Sequence, residues 1–78
     1  MNSDRYNRAL KIQRECHAAY AKRDMNRAVE LWTQLYELYE DIETRAADLM
    51  EQHTVMQLFT DEEVFGITDY YKKKHGYA

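Results

Sequence analysis

The chain has 78 residues, of which 45% are hydrophobic and 32% charged, which leaves room for one small domain and excludes both a disordered polar tract and a membrane span. Proline is absent and glycine occurs twice, which argues against a turn-dense β-sandwich or barrel and for helices. The net charge of -3 conceals a segregation: seven basic residues face three acidic ones in 1–27, one faces ten in 28–66, and three face one in 67–78.

A helical hairpin that lays the basic segment against the acidic one lets these fields partly cancel. The single cysteine, Cys16, excludes an intramolecular disulfide framework and fits a reducing interior. The opening MNSDRYNRALK lacks the apolar stretch of a secretory leader, and no apolar run approaches the roughly 18 residues of a membrane span. A soluble, cytoplasmic protein is the expectation.

Helix 1 is predicted over about 4–22, after Ser3 as N-cap. Ala9, Ile12, Cys16 and Ala19 recur at spacings of three and four, a narrow stripe whose small side chains invite close approach of a second helix. Asp24 is placed to cap helix 2, predicted over about 25–52. Met25, Ala28, Trp32, Leu35, Tyr39, Ile42, Ala46 and Leu49 keep an unbroken heptad spacing there, which implies a rod of roughly 42 Å. The segment 52–59 carries Val55, Met56 and Leu58 and is expected to lie against the core.

Helix 3 is predicted over about 61–75. Thr60-Asp61-Glu62-Glu63 fits a capping box, and Phe59 with Val64 fits the accompanying hydrophobic staple. Acids in its first turn, Lys72, Lys73 and Lys74 in its last, and Gly76 beyond them suit the helix dipole and a glycine stop. Gly66 is the one weak position, costing about 1 kcal/mol relative to alanine, and is a point where the helix could divide. These elements define an all-α chain: a long antiparallel helical hairpin plus a shorter C-terminal helix, in the manner of a three-helix bundle.

The stretch from Ala18 to Leu38 resembles a tetratricopeptide helix pair, with Ala28, Trp32 and Leu35 at the small, aromatic and apolar packing positions. Arg23 stands where that motif has a turn glycine, and no proline follows the second helix. The resemblance covers a quarter of the chain and one repeat, whereas such folds stack several. It implies a helical hairpin.

Catalysis finds no support. None of His17, His53 and His75 has a glutamate three residues before it, and no histidine pair has the i,i+4 spacing of a helical zinc site. Cys16 lies on the apolar stripe as a small core residue, and two distant glycines cannot cradle a phosphate. No catalytic residue, metal or cofactor is expected.

The first half of helix 2 is apolar over more than one seam, because Val29, Leu31, Tyr36 and Leu38 flank the heptad positions. Helix 1 covers one flank. Helix 3, starting from the far end of helix 2, would travel back roughly 24 Å and reach only its middle. A stripe centred on Met25, Val29, Leu31 and Trp32 is therefore expected to lack cover from its own chain and to need a companion.

The leading expectation is a non-enzymatic protein–protein interaction module, an adaptor or small inhibitor. It would contact another protein or a second copy of itself, as a homodimer, through Met25, Val29, Leu31, Trp32 and Tyr36, steered by Glu30, Glu37 and Asp41. The alternative is a small nucleic-acid-binding regulator that uses Arg5, Arg8 and Lys11 of helix 1 with Lys72, Lys73 and Lys74 of the tail.

Overall fold

The computed structural model describes residues 3–40 and 46–76. Four helices account for nearly all of them: α1 Ser3–Ala21, α2 Met25–Glu40, α3 Ala46–Met56 and α4 Asp61–His75. The fold is all-α, and no strand occurs among the described residues.

α1 stops because its last carbonyls are taken by the turn. The Asp24 N–H donates to the Ala19 carbonyl and the Arg23 N–H to the Tyr20 carbonyl, both at 2.9 Å, the paired bonds of a Schellman ending. Arg23 occupies the left-handed position with φ 59°, where a side chain costs about 1–2 kcal/mol. Its guanidinium lies 4.6 Å from the centre of the Tyr20 ring, an attraction that offsets about 0.5–1 kcal/mol of that cost. The Asp24 carboxylate then accepts the Arg27 N–H at 3.3 Å, so Asp24 caps α2 as its position implies.

α1 and α2 form the expected hairpin. Ala9, Cys16, Ala28 and Leu35 are fully buried, and the Cys16 thiol donates to the Ala28 carbonyl at 3.3 Å. A side chain that reaches the backbone of the neighbouring helix requires small residues at the contact, and the alanines supply them.

The single rod expected over 25–52 is not what forms. Arg5 of α1 has its guanidinium 5.2 Å from the Tyr39 ring centre and 3.0 Å from the Glu51 carboxylate. In one straight helix, residues 39 and 51 would stand about 18 Å apart. The chain therefore reverses between α2 and α3, and Ile42, in the middle of the heptad series, lies outside the described residues. α3 runs back alongside α1: after the Arg5–Glu51 pair, the buried Gln13 amide donates to the Leu58 carbonyl at 3.3 Å. This reversal carries Val55 and Phe59 into the core, burial that a straight continuation would forgo.

The reversal also changes where α4 begins. Its first turn sits beside the end of α1, where Glu63 meets His17 and the Tyr20 hydroxyl donates to the Glu62 carbonyl at 3.5 Å. Further along, the Tyr70 hydroxyl and the Lys74 ammonium both donate to the Asn26 side chain, at 2.7 and 3.3 Å. α4 thus lies over the near-turn half of α2, the half it was expected to miss. Val29, Leu31 and Trp32 are buried by their own chain, which overturns the expectation of an uncovered stripe there.

The local signals of α4 are realised. The Thr60 hydroxyl accepts the Glu63 N–H at 3.1 Å and the Glu63 carboxylate accepts the Thr60 N–H at 3.0 Å, a complete capping box. Gly76 closes the helix at φ 72° with its N–H turned to the last carbonyls. Gly66 does not divide the helix. A Cβ there would stand 2.7 Å from Cε2 of Tyr20, so the missing side chain makes room for that ring to lie on α4.

Candidate functional site

A groove of about 460 Å³ opens between α2 and α4. Trp32, Thr33, Tyr36 and Glu37 form one wall, and Thr68, Tyr71 and Lys72 form the other. Each wall follows from helical spacing: the α2 residues are consecutive pairs one turn apart, and 68, 71 and 72 recur at three and four. Trp32 is the one buried side chain among them, with only 6% of its surface accessible. It packs edge-on against Tyr36 at 5.6 Å and Phe59 at 5.0 Å, geometries that favour both ring contacts.

Both threonines in the walls donate their hydroxyl protons to their own helix: Thr33 to the Val29 carbonyl at 2.9 Å, Thr68 to the Val64 carbonyl at 2.6 Å. The groove is therefore an aromatic and methyl-lined channel with a carboxylate on one wall and an ammonium on the other. Tyr36 is 49% exposed at its edge. Phe65, 74% exposed, stands one and two turns before Thr68 and Lys72 on the same strip of α4.

The residues expected to bind a partner are divided by the fold. Val29, Leu31 and Trp32 are interior, Met25 is half-buried, and Tyr36, Glu30 and Glu37 are exposed; Asp41 lies outside the described residues. Glu30 pairs with Arg27 at 3.5 Å. Glu30 and Glu37 share a shallow outer furrow with Lys74 and His75 on one side, and Arg8 lies near Glu37 on the other. Phe65, Thr68 and Tyr71 were not singled out as partners from the sequence. The signal for Phe65 was present: Val64, Ile67 and Tyr71 mark the inner face of α4, and Phe65 falls outside it.

The basic residues are not gathered into one surface. Arg5 is tied to Glu51 and Tyr39, Lys73 pairs with Asp69 at 3.0 Å, and Lys74 is held by Asn26. Arg8 and Lys11 are exposed on α1, and the Glu30–Glu37 strip of α2 separates Arg8 from Lys74. Compared with protein-family models, curated proteins and solved structures, the chain matches none of them.

Two titratable groups are shifted where α1 meets its neighbours: Cys16 against α2 and Glu63 of α4 against His17. Burial pushes the Cys16 thiol up to about 12, and the charge of Glu63 adds to the shift, so it is not a thiolate at neutral pH. Burial alone would raise the Glu63 carboxyl. The Thr60 N–H, the His17 ring and the Thr60 hydroxyl outweigh it and hold the group below its ordinary value. Among the described residues no group of three histidine, cysteine or acidic side chains could hold a metal ion. No described helix is long and apolar enough to cross a membrane.

Proposed function

We propose that the chain is a non-enzymatic protein–protein interaction module, an adaptor or small inhibitor, whose contact surface is the α2–α4 groove with the acidic outer strip of α2 beside it. The observation that carries this reading is an aromatic groove at the surface, with Tyr36 accessible in its wall and the exposed Phe65 one turn before Thr68 on α4. Aromatic rings around a desolvated pocket are the usual anchors of protein contacts. Glu30 and Glu37 set orientation and association rate rather than bulk affinity. The anchor is thus the groove, in place of the stripe read from the sequence, which the chain uses for its own core.

Weighing against a nucleic-acid surface is the separation of the basic groups by that acidic strip, since backbone binding depends on several phosphates being neutralised together. A photo-crosslinking amino acid at position 36 and, separately, at position 11 in the producing cell tests the proposal. Specific protein adducts from 36 and none from 11 are the expected result. Identical adduct patterns from both positions, or none from 36, would remove the groove from consideration.

A further inference from the structure

We infer that the occupant of the groove is a second copy of this chain, placed about a two-fold axis so that each copy's Phe65 enters the other's groove. The inference rests on the reading of the groove as a protein-binding surface and names its partner.

Charge gives the first argument. Glu37 and Lys72 stand on opposite walls, both are exposed, and neither has a hydrogen-bond or ion-pair partner among the side chains of the described residues. A two-fold contact brings the same patch to itself, so a patch bearing one sign would repel its copy. A patch with one acid and one base on facing walls is complementary to itself: each Glu37 meets the other copy's Lys72.

The second argument is that knob and hole occur on the same surface. Phe65 is the most exposed aromatic ring among the large hydrophobic side chains of the described residues, and it belongs to the strip of α4 that forms the groove wall. A protruding ring beside an aromatic channel on the same face is the arrangement that a two-fold axis exchanges reciprocally. The channel suits a ring: its volume of about 460 Å³ is on the scale of clefts of roughly 300–1,000 Å³ that enclose small ligands. Its threonine hydroxyls already donate to their own helices, so an apolar occupant strands neither of those donors.

Sedimentation velocity on the full chain over a wide concentration range, for the wild type, Phe65→Asp, Glu37→Lys, Lys72→Glu and the double charge exchange, tests the inference. The expected result is a wild-type dimer whose dissociation constant rises about tenfold or more in Phe65→Asp. Each single charge reversal weakens it and the double exchange restores it. Circular dichroism confirms that each variant is folded, and Phe65→Ser serves if the aspartate variant is not. A monomer at every concentration, or a dimer indifferent to residue 65 and to the charge exchange, overturns the inference. A monomer that still gives adducts from position 36 to a different protein defeats the second copy while leaving the interaction module standing. A monomer with no adducts defeats both.

Discussion

Between α1 and α2 the contact is built from small side chains. Ala9, Cys16 and Ala28 have no accessible surface, and the Cys16 thiol touches the backbone of the opposing helix. Between α2 and α4 rings border an opening: Trp32, Tyr36 and Tyr71 line the groove between the two helices. The same helix, α2, makes both contacts, so the difference lies in side-chain volume. Small residues close a seam completely, whereas large rigid rings leave gaps unless a neighbour of matching shape meets them, as Phe59 meets Trp32. Where the ring partners run out, a groove remains. The closed seam supplies stability, and the open one supplies a surface.

Substitutions that shift volume between the two contacts should separate them. The largest effect is expected at Trp32, which is buried and lines the open groove. Trp32→Ala should lose about 3–5 kcal/mol in urea unfolding, and a loss under about 1 kcal/mol would mean the ring belongs to the surface alone. Adding volume to the closed seam comes next, with Ala28→Leu costing about 1–3 kcal/mol through overpacking. The corresponding addition in the open groove, Thr68→Leu, should stay within about 0.5 kcal/mol. If the two leucines cost the same, the contrast between closed and open contacts fails.

The α1–α4 contact gives a subtler test through pH. Glu63 is held below its ordinary value in the folded chain, so its stabilising contribution is present above the unfolded value near 4.5. That contribution is lost as the pH falls through the lower folded value. The stability gap between wild type and Glu63→Gln, read from urea midpoints, should be widest near neutral pH and narrow steadily below about pH 4.5. A gap that does not change with pH would mean that the carboxylate's charge contributes nothing to the contact.

Tyr20 and Gly66 offer the smallest and most local comparison. Alanine at 66 gains about 1 kcal/mol in helix propensity and collides with the Tyr20 ring. Gly66→Ala should therefore stabilise the Tyr20→Ala background by about 1 kcal/mol and the native background by clearly less. Equal gains in both would show that the ring moves aside without cost.

What could be read beforehand follows a pattern visible in single residues. Asp24, Thr60 with Glu63, and Gly76 act within one turn of themselves, and each does in the structure what its position implied. The alanine and cysteine stripe of α1 likewise faces α2. The reversal between α2 and α3 was not legible, because a heptad series fixes which face is apolar and says nothing about whether the axis stays straight. Phe65 as an exposed ring could have been found from the inner face of α4. The groove could not, since it depends on where α4 lies.

The sequence by itself determined that this chain is helical, where α1 and α4 begin and end, where α2 begins, and which small residues make the hairpin seam. These rest on caps, spacing and propensity, which act over a few residues. Only the tertiary structure decided that α3 turns back, that α4 covers the turn end of α2, and that the exposed aromatic surface lies between α2 and α4. Those outcomes depend on contacts between residues more than 40 positions apart, such as Arg5 with Glu51, Gln13 with Leu58 and Asn26 with Tyr70. No local pattern encodes which distant partner a side chain will meet.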